Sequence, residues 1–440
     1  MNKNYIQYKM DLSKYTYFDL NSVERDLNQS LVLPTITEAT MIRDSRLLKD
    51  FKLQTFGGYQ KSQVSSALEK AIQDEKIEDA LQWTFQLYFS GIIEPLLWKI
   101  IHFSCKQICI HNPKLPCFLY HRFLKWKRIT DSNKFQKDDI LLLRNHPELR
   151  NIVVELVTIM TLSKKRKAET ATKVKKQEFI VSNFRQNLEA VNNKFIASIT
   201  KDGDPNELKI AANEMAYQMF KNNLKKTLYW MNWIIEWDKT NTKRYGEFHC
   251  GSRRNEDIDA KYATNSIWLL WDVVFIVKKA KSQISGIENT ELNRQITALW
   301  KLFTHQYVPS QRSKKLPIMI WCIHLLTEKI DWEIPIIDRP YLIYQSILTK
   351  EKLISRMKSQ QIQRNIVNDK LMNIAIENNY LVPSNQDILR QKQALKAKKE
   401  ADKISAKQLK EREKEAKKKK TTVITLNKLD QLNSLDKSVK

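Results

Sequence analysis

The sequence predicts an all-α fold, a multi-helical bundle followed by a charged, helical or disordered C-terminal tail. Three observations lead there. Apolar residues recur at helical spacing through most of the chain, with no sustained period-two alternation. Glycine is scarce, 7 in 440 residues, and strand-rich folds and phosphate loops lean on glycine for tight turns and close backbone approach. Hydrophobic residues make up 42%, enough for a buried core in roughly two to three domains.

The elements follow in order. Residues 1–50 are weakly periodic and read as an irregular arm. The glycine pair in Gly57-Gly58-Tyr59-Gln60-Lys61-Ser62 lacks the spacing of a phosphate-binding loop and reads as a turn. Ser66 and Glu69 have capping-box spacing, and Ala67, Leu68, Ala71 and Ile72 follow on one side. The polar turn "QDEK" ends that helix. A second helix runs from about Ile77 to Ser90, and Gly91 stands where a left-handed stop belongs. Within it, Gln82, Phe85, Tyr88 and Phe89 have the spacing of a clamp-docking peptide. The flanking turn and stop place them in a core instead, where aromatic area gains most from burial. Pro95 suits the first turn of a third helix, which carries Leu97, Ile101, Ser104, Cys105 and Ile108. "HNPKLP" ends it, and a further helix carries Phe118, Phe123, Trp126 and Ile129.

A second apolar block spans 179–382. Trp230, Trp233 and Trp237 share one helix face, and the run Ile267 to Val277 follows with Asp272 inside it. Placing Trp83 over Trp230 puts Leu68 on Met215, Ile72 on Met219, Ile77 on Leu224, Leu81 on Leu228 and Leu87 on Ile234. Two readings fit. One is an internal duplication, and the other is a pair of amphipathic hairpins that periodicity alone aligns.

The formal charge is +26, which points to a polyanionic partner. Two segments hold over half of it. Residues 164–176, "KKRKAETATKVKK", have seven bases and one acid, and 386–420 have fourteen bases and six acids. The candidate nucleic-acid contacts are therefore Lys164, Lys165, Arg166, Lys167, Lys173, Lys175 and Lys176 in a connector at 164–178, and Lys417, Lys418, Lys419 and Lys420 in a tail at 383–440. Lysines on a solvated tail bind phosphate by counterion release or simply solubilise the chain. The first segment also has the look of a two-part nuclear-import signal, and Leu426, Leu429, Leu432 and Leu435 have the spacing of a short docking helix. No apolar run reaches the roughly 20 residues of a membrane span, and the first residues lack the apolar core of a secretory signal. A soluble, intracellular protein without a membrane partner is expected, and five cysteines suit a reducing compartment.

Catalytic and metal patterns are missing from this reading. His102, Cys105, Cys109, His111, Cys117 and His121 crowd together without the paired ligand spacing of zinc, so no metal or cofactor is expected. Asp238, Glu256, Asp257 and Asp259 lie among polar residues and read as solvated loop. No nucleophile, base and oxyanion set assembles, so a non-enzyme is expected. The aromatic and basic interleaving in "FLYHRFLKWKR" reads as an amphipathic helix, aromatics inward and Arg122, Lys125, Lys127 and Arg128 outward.

Residues 65–116 carry a family pattern in Ser66-Ala67-Leu68, Lys70, Ile72, Ala80-Leu81, Trp83, Gly91, Ile108, Ile110 and Asn112-Pro113. This segment resembles the C-terminal helical (collar) domain of RarA/Werner-interacting-protein-type AAA+ ATPases, relatives of the clamp loaders. Lys106-Gln107 stand where that family has an acidic pair, and Cys109 where it has glycine. Later stretches look similar to proteins of large double-stranded DNA viruses that carry this domain without the ATPase. The resemblance implies a collar-like domain at 51–163 that self-associates, and no ATP chemistry, because no phosphate-loop lysine is present. It implies a non-enzymatic oligomerisation or scaffold protein of viral DNA replication or repair, touching DNA through its basic segments. The other reading is a virion or scaffold protein that condenses the genome. The implied places are the host nucleus, a cytoplasmic viral factory or the virion.

Overall fold

The computed structural model describes residues 36–44, 46–131, 140–170, 173–246, 249–284 and 290–377, with backbone alone over 362–377. Residues 1–361 form one compact unit and 362–440 a second. The fold is all-α. Among the described residues there are thirteen α-helices and no strand beyond a single bridge between Gln54 and Gln60. The first half holds α1 (Lys61–Gln73), α2 (Ile77–Phe89), α3 (Glu94–Gln107), α4 (Leu115–Thr130), the short α5 (Ile140–Arg144) and α6 (Pro147–Leu162). After a short α7 (Val181–Gln186), the second half holds α8 (Asn206–Phe220), α9 (Leu224–Tyr245), α10 (Ile267–Ile284), α11 (Thr290–Thr304) and α12 (Arg312–Thr327). The last helix, α13 (Pro340–Glu377), runs past the end of the first unit.

Each half packs four helices around a fifth. In the first, α6 touches α1, α2, α3 and α4; in the second, α12 touches α8, α9, α10 and α11. The halves meet where α4 packs on α11 and α3 on α12. One continuous core results, so the basic connector joins two parts of a single compact unit.

The hairpins α1–α2 and α8–α9 match beyond periodicity. Both turn through a non-glycine residue in the left-handed region, Glu75 (φ 58°) and Asn222 (φ 56°), at the offset that lays Trp83 on Trp230. Both close the first helix with the same Schellman bonds. Lys76 N donates to Ala71 O (2.9 Å) and Glu75 N to Ile72 O (3.3 Å); Asn223 N donates to Gln218 O (2.9 Å) and Asn222 N to Met219 O (3.2 Å). Side-chain periodicity dictates none of these backbone details, so the two hairpins share a backbone plan. They differ at their ends. Gly91 (φ 76°) stops the first, whereas Asp238 takes the corresponding place and α9 continues to Gly246.

Several expectations change. α1 begins at Lys61, not near Ser66, because the Gln54–Gln60 bridge delivers the chain into the helix earlier. Ser66 then lies mid-helix, its hydroxyl donating to Ser62 O. Residues 36–44 and 46–50, expected in a loose arm, are tied down. Ile42 is buried, Arg144 donates to Asp44 O (2.6 Å) and Arg46 O (3.0 Å), and Arg150 donates to Thr40 O (3.1 Å). Residues 1–35 and the tail boundary expected at 382 lie outside the described residues, as do Leu426, Leu429, Leu432 and Leu435.

Other readings match the structure. Gly58 (φ 78°) makes the turn, and Gly57 N donates to Gln86 Oε1 (2.7 Å). Phe85, Tyr88 and Phe89 are fully buried, Phe85 and Phe89 stacked at 5.3 Å, as core residues and not as an exposed peptide. On α4 the aromatics Phe118, Phe123 and Trp126 point inward as expected, but of the four bases expected outward only Arg128 is exposed; Arg122, Lys125 and Lys127 are half-buried, and Arg122 pairs with Glu155 (2.6 Å).

Candidate nucleic-acid interface

The connector begins where α6 ends. Helices leave their last carbonyls without intrahelical partners, and the connector satisfies those of α3. Arg166 N donates to Gln107 O (2.7 Å) and Ala168 N to Lys106 O (2.8 Å). Side chains add two more anchors. The Lys165 ammonium folds back on Thr161 O and lies 3.9 Å from Glu75. Arg166 reaches Glu328 (2.7 Å), which also accepts from His324 Nδ1 (2.5 Å) at the end of α12. Further on, Lys175 N donates to Glu178 (2.9 Å), and the Tyr229 hydroxyl on α9 also donates to that carboxylate (2.6 Å). The connector is therefore a strap fastened at the C-terminal ends of α3, α6 and α12, and then on α9.

This sorts the sequence-derived candidates. Lys165 and Arg166 are half-buried and already paired, so they hold the strap. Burial pushes the Lys165 ammonium below its usual range, with Glu75 partly offsetting it. At Glu328 burial works to raise the carboxyl, but hydrogen bonds from His324 and Arg166 outweigh it and hold the group down. Lys164, Lys167, Lys173 and Lys175 are exposed and have no ion-pair partner among the described residues. The Lys176 side chain and Lys417, Lys418, Lys419 and Lys420 lie outside the described residues.

One cation that the sequence reading left out flanks the strap. Lys106, whose carbonyl receives Ala168 N, is exposed in the last turn of α3. The sequence signal for Lys106 was its place in the last turn, where a helix favours cations.

The chain matches no protein-family model, no curated protein and no solved structure.

The other charged clusters are spent internally. Asp238, expected in a solvated loop, is 4% exposed, accepts from Arg312 (2.6 Å) and lies 3.4 Å from His249 Nε2. It belongs to α9, which its neighbouring Trp237 anchors in the core. Asp257 likewise binds Trp300 Nε1 (2.8 Å) and Lys301 (2.7 Å), while Glu256 and Asp259 are exposed as expected. Arg253 is clamped by Asp204 (2.7 Å) and Asp272 (2.5 Å). All five cysteines are free and buried, and burial pushes Cys109 and Cys117 up to about 12. Among the described residues no group of three or more His, Cys, Asp or Glu is placed to hold a metal ion, and no helix is long and apolar enough to cross a membrane.

Proposed function

We propose that this chain is a non-catalytic helical scaffold of DNA replication or repair that holds nucleic acid along its basic strap. The observation that carries the reading is the strap itself. Four exposed lysines with no ion-pair partner among the described residues stand on a backbone anchored at both ends, with Lys106 beside it. Cations on an anchored backbone bind phosphate with less ordering cost than cations on a free tail. The paired residues Lys165 and Arg166 hold that support in place.

The collar-like part of the reading rests on the resemblance over residues 65–116. It gains support at Cys109. The family pattern has glycine there, and Cys109 holds φ 48°, the left-handed conformation that favours glycine. A collar works by helix packing between subunits, and two five-helix halves in one chain suit that use.

Salt dependence tests the proposal. Binding of a short labelled DNA oligonucleotide is followed by fluorescence anisotropy over a salt series. Changing Lys164, Lys167, Lys173 and Lys175 to Gln is expected to reduce the slope of log affinity against log salt by about 3. An unchanged slope and affinity would sink the assignment to the strap. Size-exclusion chromatography with light scattering tests self-association: a monomer at all concentrations contradicts the collar reading.

A further inference from the structure

We propose that the cleft beneath Lys164 takes one unstacked nucleobase, with Lys164 on an adjoining phosphate. This rests on the reading that the strap meets nucleic acid. The cleft is a cavity of about 280 Å³ between the end of α6, the turn at His111–Asn112 and the loop 334–338. That is at the small end of ligand cavities, which run from about 300 to 1,000 Å³, and suits a nucleoside better than a folded peptide.

Its walls are apolar and its rim is polar, the arrangement a base presents in reverse, with apolar faces and a polar edge. Leu162, Pro335 and Ile337 supply the walls. Asn112, 3% exposed, forms the floor and ties the loop to the helix end. Its Nδ2 donates to Ile336 O (2.9 Å) and Ser163 Oγ (3.2 Å). The cleft is thus preformed, not dependent on closure.

Three rim groups match a nucleotide. Lys164 is an exposed cation without an ion-pair partner among the described residues. Asp338 is an exposed carboxylate, 3.5 Å from Arg339, able to accept from a base N–H. His111 also lines the cleft. Burial, with Lys164 and Arg166 nearby, pushes its pKa down, so at neutral pH its ring offers one donor and one acceptor. The cleft opens at the root of the strap, so a strand tracking Lys164 and Lys167 passes over it. Non-aromatic walls predict acceptance of any base.

Abasic DNA separates base from phosphate. The full chain is titrated with a single-stranded oligonucleotide and with the same backbone carrying abasic sites throughout. The base-bearing strand is expected to bind about tenfold tighter. Ile337→Trp, which fills the cleft, should remove that difference; a circular-dichroism melt checks its fold. Should that variant not fold, the wild-type comparison decides alone. Equal affinity for both strands overturns the cleft and leaves the strap reading standing. No binding of either strand overturns both. Competition by a free deoxynucleoside monophosphate distinguishes the source: displacement of the base-dependent part assigns the cleft to single nucleotides as well, and competition by oligonucleotide alone assigns it to strands.

Discussion

Arg150 is the fourth residue of α6, and Lys315 is the fourth residue of α12. Each is a buried cation on the central helix of its half, 0% and 4% exposed. Each satisfies backbone carbonyls, one or more of them in the segment before its helix. Arg150 donates to Arg144 O (2.9 Å) and Thr40 O (3.1 Å); Lys315 donates to Phe303 O (2.8 Å) and His305 O (2.5 Å) at the end of α11. Each lies over an aromatic ring, Arg150 over Phe89 at 5.3 Å and Lys315 over Trp98 at 4.9 Å. At the other end of the central helix the parallel continues. A lysine reaches both the penultimate carbonyl and the hairpin's left-handed turn residue. Lys165 does so at Thr161 O and Glu75, and Lys281 at Leu326 O (2.5 Å) and Asn222 (2.6 Å).

The halves therefore share a backbone plan, with its unpaired helix ends and left-handed turns, and answer it with different side chains. Lys165 follows its central helix in sequence, whereas Lys281 comes from α10, so the contact recurs while its source does not. Burial pushes the Lys315 pKa down to about 8, and three backbone carbonyls accept from its ammonium. The strap has no counterpart in this repeat. It lies between the halves and carries four exposed lysines with no ion-pair partner among the described residues.

The largest expected effect comes from deleting the buried cations. Arg150→Met and Lys315→Met leave carbonyls buried without donors, and each should cost about 3–5 kcal/mol in urea unfolding. Arg150→Met should cost more, because Glu351, 3.7 Å away, also loses a partner. A loss below 1 kcal/mol at either site would remove that half from the parallel. Next come the two stops. An added Cβ at Gly91 would meet Ile140 Cδ1 at 2.5 Å, while one at Gly246 meets nothing within 4 Å. Both hold positive φ, so Gly246→Ala should cost about 1 kcal/mol and Gly91→Ala about 2–3.

The contact between halves predicts acid sensitivity. His102 and His305 flank Trp98 there, with ring centroids 6.0 and 6.3 Å from it. Burial, with Lys106, Lys315 and Lys314, lowers His102 to about 4. Burial with Lys127 and Lys315 lowers His305, against Glu94 and Asp131. A folded pKa below the unfolded value means that the unfolded chain binds more protons. Stability is then complete above pH 6.5 and falls as pH drops towards 4. A loss of about 2 kcal/mol over that window is expected, and His102→Gln should flatten it. A flat profile in the wild type contradicts the assignment. The smallest effect separates the turns. Glu75→Gly should stabilise by about 1 kcal/mol, and Asn222→Gly by less, since asparagine tolerates the left-handed region.

Much of this fold was legible in the sequence, because helices that bury one face must repeat apolar residues at helical spacing. The span of α2, the Gly91 stop and the Pro95 start follow from local rules. The buried cations were not legible. Arg150, Lys315 and Arg253 look like surface residues until the carbonyls or carboxylates they meet are brought from distant segments. Asp238 failed for the same reason, its partner Arg312 lying on α12. The polar turn at residues 73–76 was legible, but not that Glu75 within it takes the left-handed conformation, because glutamate, unlike Asn222, is no turn residue by type. In the interface, composition located the strap, whereas the division into holding and free lysines depended on Gln107, Lys106 and Glu328, which are remote in sequence.

The most direct test of the interface is photocrosslinking of the full chain to bromouracil-substituted single-stranded DNA, mapped by mass spectrometry. The account predicts crosslinked peptides that contain Lys164 to Lys175, with Lys106 beside them. Efficient crosslinking that leaves all of these peptides unmodified would contradict it.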